Sequence, residues 1–235
     1  MEHSQVLCIL NTRDQAKRLY NLLGDREGHF HLSALMCPEH RAEVFEKVRK
    51  NLKEGLTCRV ISTQLVEAGV DVDFPLVYRA IAGLDSIVQS AGRCNRENRM
   101  KDMGTLFVFV PESGLPGGDF KQPAQITEKI INKYGEDILG IETVKKYFNE
   151  LFWIKSLGKS LDEKQILDDL KRGESVLDFP FKSIAEKYRL IDQTMIPVVI
   201  PYNEKAKKGI EEFRSYGPKS TTLRLLQRYT IGLYP

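Results

Sequence analysis

Apolar runs of strand length alternate with amphipathic runs of helix length through the first half of this chain, and that alternation admits few folds. A continuous apolar run predicts a buried strand over 5–10, ending at Asn11-Thr12. Ala16, Leu19, Tyr20 and Leu23 recur at helical intervals over 13–23, before the stop signal Gly24-Asp25. The same reading gives strands over 29–35, 56–63, 76–81 and 105–110, and helices over 39–54 and 84–94. Strands and helices in strict alternation build a parallel sheet with helices on both faces. Ligands of such sheets gather beyond the carboxyl ends of the strands, where Asn11-Thr12, Ser62-Thr63 and the loop after Ile81 fall.

The pattern changes at Pro111-Glu-Ser-Gly-Leu-Pro-Gly-Gly-Asp-Phe-Lys-Gln-Pro123, whose prolines and glycines mark a boundary. Residues 1–115 therefore read as one domain and 116–235 as a second, mainly helical one. Its helices fall at 124–134, 138–154, 161–171, 181–190, 204–216 and 220–228, with an edge strand over 195–202. The last residues, Leu-Gln-Arg-Tyr-Thr-Ile-Gly-Leu-Tyr-Pro, read as the start of a further strand that stops abruptly, suggesting a truncated chain.

No window approaches 18 apolar residues, which excludes a membrane-spanning helix, and Met1-Glu2-His3-Ser4 carries no secretory signal. Cys8, Cys37, Cys58 and Cys94 are scattered without a Cys-x-x-Cys pair, as expected of reduced cytoplasmic thiols. The net charge is only +3, and residues 1–118 balance 15 basic against 15 acidic side chains, so any nucleic-acid contact is local. The segment from Asn203 onward holds seven Lys/Arg against three Glu, with Phe213, Tyr216, Tyr229 and Tyr234 between them. It suits a single-strand groove or a partner surface, and equally an amphipathic helix packed on its neighbours.

Gln89, Arg93 and Arg96 stand at i, i+4 and i+7, on one face if the helix runs through them. Two guanidinium forks and an amide on one stripe suit a polyphosphate, although a solvated face has the same composition. Gly92 lies inside that stripe, where glycine costs roughly 1 kcal/mol relative to alanine unless a backbone or ligand must approach closely.

Gln89-Ser-Ala-Gly92-Arg93-Cys-Asn-Arg96 resembles the Gln-x-x-Gly-Arg-x-x-Arg motif six of superfamily two helicases. Ser62-Thr63 with Gly69-Val70-Asp71 resembles their motif five. The fuller wording, Ser-Thr-Gln-Leu-Val-Glu-Ala-Gly-Val-Asp-Val-Asp-Phe followed by Gly-Arg-Cys-Asn-Arg-Glu, is similar to the helicase–nuclease of type I CRISPR systems. The resemblance is strongest over 6–110, present at 181–202 and thin between.

It implies a RecA-like second helicase lobe followed by part of a C-terminal domain. The intact protein would move along single-stranded DNA, generally 3′ to 5′, and degrade targets marked by a guide-RNA surveillance (Cascade-type) complex. By the same resemblance Arg96 is the arginine finger on the γ-phosphate of ATP. Arg93 holds phosphate or couples to the first lobe, and Gln89 orients the water or relays closure. Gly69 and Gly92 admit the nucleotide or backbone, and Asp71 meets the ribose or a partner arginine. Asp73, two residues on, reads as a turn cap rather than a metal ligand.

Thr63, Ser62, Thr12 and Arg41 are the candidate contacts to single-stranded DNA, since hydroxyls at strand ends suit phosphate oxygens without reading sequence. Helix capping and a solvated first turn explain Thr12, Thr63 and Arg41 as well. His29 and His31 share one strand face but lack acidic or thiol partners, so they read as packing residues.

The chain contains no Gly-x-x-x-x-Gly-Lys-Ser/Thr, no Asp-Glu-x-His and no His-Asp dipeptide. The phosphate cradle and Mg²⁺ ligands are thus expected in the first RecA-like lobe of the same parent, and this chain is expected to be inactive as an ATPase alone. The alternatives are another superfamily two helicase, and a non-catalytic module that binds DNA or the effector complex.

Overall fold

The strand runs form one parallel sheet. In a computed structural model, β1 (Gln5–Ile9), β2 (His29–Leu32), β3 (Cys58–Ser62), β4 (Leu76–Ala80) and β5 (Thr105–Phe109) pair in the order β2-β3-β1-β4-β5. The structure describes residues 3–67, 70–94, 104–115, 117–135, 137–157, 162, 164–171, 179–188 and 195–234. β1 is central because it is apolar on both faces: Leu7 and Ile9 are fully buried on one side, and Cys8 packs on the other.

Helices cover both faces. α2 (Pro38–Glu54) lays Val44, Phe45, Val48 and Leu52 on the face formed by Leu7, Ile9, Val60 and Val77. α1 (Arg13–Leu23) lays Ala16, Leu19 and Tyr20 on the other, against Ile61 and Ala80. Thr12 starts α1 with a capping box, its hydroxyl accepting from Gln15 N at 3.1 Å while Gln15 Oε1 accepts from Thr12 N at 3.3 Å. α2 begins on Pro38, whose missing N–H would be unpaired there, and closes on Gly55 in the left-handed region at φ 70°.

Several expected elements are shorter than the sequence suggests, β2 and α3 among them. β2 ends at Leu32 rather than at 35, because a turn closed by Met36 N to Ser33 O follows. α3 (Leu84–Ala91) ends before the expected residue 94. Gly92 terminates it, and Phe74 N then takes the carbonyl of Arg93 at 2.9 Å, drawing Cys94 into a parallel bridge with Phe74.

Beyond residue 115, α4 (Lys121–Tyr134) and α5 (Ile141–Leu157) pack on α3 through one cluster containing Leu84, Ile87, Ile126, Ile130, Tyr147 and Leu151. Tyr147 Oη also donates to Asp85 at 3.1 Å. α6 (Ile166–Lys171) is capped by Asp162, whose carboxylate accepts from Ile166 N and Leu167 N. It is tied to α7 (Phe181–Lys187) by Lys187–Asp169 at 2.6 Å. β6 (Ile196–Val199) stops short of residue 202 at Ile200-Pro201, and pairs antiparallel with β7 (Thr230–Leu233).

Between those strands lie α8 (Glu204–Tyr216) and α9 (Ser220–Gln227), packed where Gly209 meets Leu225 and Leu226. This unit docks on the start of α2: Cys37, Ala206 and Tyr229 share a cluster, and His40 stacks on Tyr202 at 4.8 Å. No helix among the described residues is long and apolar enough to cross a membrane.

Candidate functional site

The parallel register brings four strand ends into line. Leu32 and Ile9 both sit opposite Ser62, and Ile9 sits opposite Arg79, so the chain leaves β1, β2, β3 and β4 on one edge. Leu10 N donates to Ser62 O at 2.8 Å and Thr63 N to Leu32 O at 3.4 Å, extending the sheet by one step there.

On this edge Thr12 is exposed, while Thr63 is only 7% exposed and Ser62 is fully enclosed. Ser62 therefore meets the edge through its main chain, not its hydroxyl. Arg41, in the first turn of α2, is half-buried.

The arginine region is folded differently from a continuous helical stripe. Gln89 is exposed on the last turn of α3, but Arg93 lies beyond the helix, so these two residues do not share one helical face. Gly92 has φ −65°, which any residue adopts, but a Cβ there would lie 3.3 Å from Gln89 O, so the glycine serves a tight turn. Arg93 is 9% exposed and its Nη2 donates to the main-chain carbonyl of Glu67 at 2.7 Å. Asp71 is exposed, and its carbonyl accepts from Arg49 Nε at 3.4 Å. Arg96 and Gly69 lie outside the described residues.

Under α3 lies a charged group that the strand reading passes over. Arg79, in the middle of an apolar strand, is 0% exposed, and its Nε stands 2.8 Å from Glu67 Oε1. Arg79 Nη1 donates to Asn11 Oδ1 and to Ala80 O, each at 2.7 Å. Asn11 Nδ2 donates to Ile81 O at 2.8 Å, and Ser90 Oγ stands 3.4 Å from Glu67 Oε1. Burial pushes the Glu67 carboxyl above the ordinary range while the Arg79 guanidinium pulls it back. Burying such ions costs several kcal/mol each, offset only where the pair is well made, so removing one partner costs about 3–5 kcal/mol. One charged residue inside Leu-Val-Tyr-Arg-Ala was the available signal.

The other titratable groups point to packing. Burial pushes the Cys8 and Cys58 thiols up to about 12 and that of Cys94 to about 11. His29 Nδ1 lies 3.1 Å from Gly24 O, and the His31 ring packs tilted against Tyr20 at 5.5 Å. Among the described residues, no group of three or more His, Cys, Asp or Glu is placed to hold a metal ion.

Residues 2–99 match the family model of the CRISPR-associated nuclease/helicase Cas3, C-terminal. Over these residues the chain is similar to the Cas3 family. The CRISPR-associated nuclease/helicase Cas3 of Methanothermobacter thermautotrophicus is 26% identical over 187 residues, covering 77% of this chain and 22% of that protein. The chain thus spans under a quarter of that relative's length.

Among solved structures, T. fusca Cas3 with ATP aligns over 98% of this chain and 32% of its own, at 15% identity and a TM-score of 0.64. A chain from a CRISPR RNA-guided surveillance complex, pre-nicking, aligns over 98% of this chain and 33% of its own, at 15% identity and a TM-score of 0.63. At that identity the likeness is one of fold, and the fold shared with Cas3 is the α/β, RecA-like arrangement described above.

Proposed function

We propose that this chain is the second motor lobe and adjoining accessory domain, divided near residue 115, of an ATP-dependent single-stranded DNA translocase that carries a nuclease. The observation that carries the reading is the proximity of its two halves. Thr12 and Thr63 follow strands that end in line, and the loop leaving Thr63 delivers the Glu67 carbonyl on which Arg93 rests. A track that grips phosphates without reading bases, set beside arginines that meet ATP, is what a motor lobe requires.

In this reading Arg96 is the finger on the γ-phosphate, Arg93 holds phosphate or couples to the first lobe from its seat on the loop after β3, and Gln89 orients the water or relays closure. Gly69 and Gly92 admit close approach, and exposed Asp71 faces the ribose or a partner arginine. Thr12 and Thr63, the Ser62 main chain and Arg41 form half of the DNA track. ATP binds between this lobe and the first lobe of the parent, which supplies the phosphate cradle and the Mg²⁺ ligands. The lobe alone turns over no ATP. The similarity to a chain of a surveillance complex supports a Cascade-type partner, with antiviral interference in the cytoplasm as the outcome.

The test separates the two halves in the intact parent, by ATP turnover against single-stranded DNA concentration. Thr12→Val should raise the DNA concentration for half-stimulation and leave maximal turnover in place. Gln89→Ala should lower maximal turnover and leave the half-stimulating concentration in place. Identical responses from both variants would contradict the division of labour.

A further inference from the structure

Neither Glu67 nor Arg79 is among the residues proposed to meet phosphate or DNA, and a close-packed apolar pair in their place would stabilise the lobe as well or better. What an apolar pair cannot do is fix a direction, because only hydrogen bonds are strongly orientation-dependent. We infer that Glu67, Arg79 and Asn11 form a positioning frame for Arg93. The inference rests on the motor-site reading of Arg93 given above.

The frame is built link by link. Arg93 Nη2 rests on the Glu67 carbonyl at 2.7 Å, so the orientation of that carbonyl helps to set where the guanidinium lies. Glu67 closes the short turn after Thr63, its N–H donating to Gln64 O at 3.0 Å. Its side chain is held by the ion pair with Arg79 Nε at 2.8 Å, while Ser90 Oγ of α3, which donates to Ser86 O at 2.8 Å, lies 3.4 Å away on the other side. Arg79 cannot swing away, because its Nη1 is bound at 2.7 Å by both Asn11 Oδ1 and Ala80 O. Asn11 is fixed in turn by Ile81 O at 2.8 Å.

Asn11 directly precedes Thr12, the exposed residue of the proposed DNA track. The frame therefore joins the end of β1, the loop after β3, the end of β4 and the last turn of α3 in one buried unit. A guanidinium fork is needed at its centre, since only a rigid planar group reaches Glu67 and Asn11 at once.

The experiment measures ATP turnover with saturating single-stranded DNA in the intact parent, alongside melting temperature. The variants are Arg79→Lys, the paired Glu67→Met with Arg79→Leu, Arg93→Ala, and the pair combined with Arg93→Ala. The apolar pair avoids a lone buried charge, so the protein folds and its melting temperature stays near the wild-type value.

The frame predicts that the apolar pair lowers kcat by about ten- to a hundredfold with KM for ATP unchanged, as a misplaced group does. Arg79→Lys, keeping the charge without the fork, should recover part of that loss. On the Arg93→Ala background the pair should add almost nothing, because it acts through Arg93. A folded pair variant with wild-type kcat, or one whose loss adds fully to that of Arg93→Ala, overturns the positioning role and leaves the motor reading intact. Wild-type turnover by Arg93→Ala itself would remove the motor role of Arg93, and this inference with it.

Discussion

Cys94 stands two residues before Arg96 in a segment where a reactive thiol would complicate any ATP chemistry, and burial removes that reactivity. With thiols pushed to about 12 at Cys8 and Cys58 and about 11 at Cys94, almost none of the nucleophilic thiolate exists at pH 8. Iodoacetamide at pH 8 should therefore modify these three cysteines slowly in the native protein and rapidly in urea, read by mass spectrometry; fast native labelling would contradict their burial. Gly92 carries a sharper expectation. Gly92→Ala should barely change the melting temperature, because φ −65° suits alanine. Yet the new methyl lies 3.3 Å from Gln89 O, so the turn must shift and carry Arg93 with it. ATP turnover of the intact parent should fall several-fold; unchanged turnover would show that the turn has slack.

At the scale of elements, β2 and the start of α2 bring two histidines together. Burial, then repulsion from His40 and Lys17, holds His31 below its ordinary value of 6.5; burial and Lys47 hold His40 down against the opposing pull of Glu43. Both histidines therefore bind protons more readily unfolded than folded. Their stability contribution is present above about pH 6.5 and is lost as pH falls through the lower folded values. Melting temperature should drop on acidification below that point, and His31→Phe should flatten the drop; an unchanged slope would remove His31 as its source.

The strands were readable because each is a short apolar run bounded by Thr, Gly or Pro, and the caps of α1 and α8 stand in the sequence as Thr12 and Asn203. The end of α3 was not. Gln89, Arg93 and Arg96 fit the helical period, and beyond Gly92 the chain is drawn away by a bond from Phe74 to the Arg93 carbonyl, 19 residues away in the chain. The same holds for the Glu67–Arg79 pair. An arginine inside an apolar strand is visible in the sequence, but its partner is chosen by the fold.

Across the whole molecule, the sheet lobe and the later helices share cores rather than merely touching. Leu84 and Ile87 of α3 lie in one cluster with Ile126, Ile130, Tyr147 and Leu151. The C-terminal β6–β7 unit rests on α2 through Cys37, Ala206 and Tyr229, ringed by polar contacts such as Arg228–Glu39 at 2.5 Å. Buried apolar contact should dominate there. Tyr229→Ala, removing a fully enclosed ring, should cost about 3–5 kcal/mol. Arg228→Ala, breaking a pair whose arginine side chain is 56% exposed, should cost under about 1 kcal/mol. Urea unfolding of both variants decides the order, and equal costs would contradict it.

In the proposed motor this lobe presents arginines to ATP held by another part of the same protein. Single-strand-stimulated ATP hydrolysis by the intact parent, wild type beside Arg96→Ala, tests it directly. Turnover should fall roughly a thousandfold with ATP still bound, as removal of a finger from the transition state produces. Turnover equal to the wild type would contradict it and leave a helicase-like fold that binds without driving the motor.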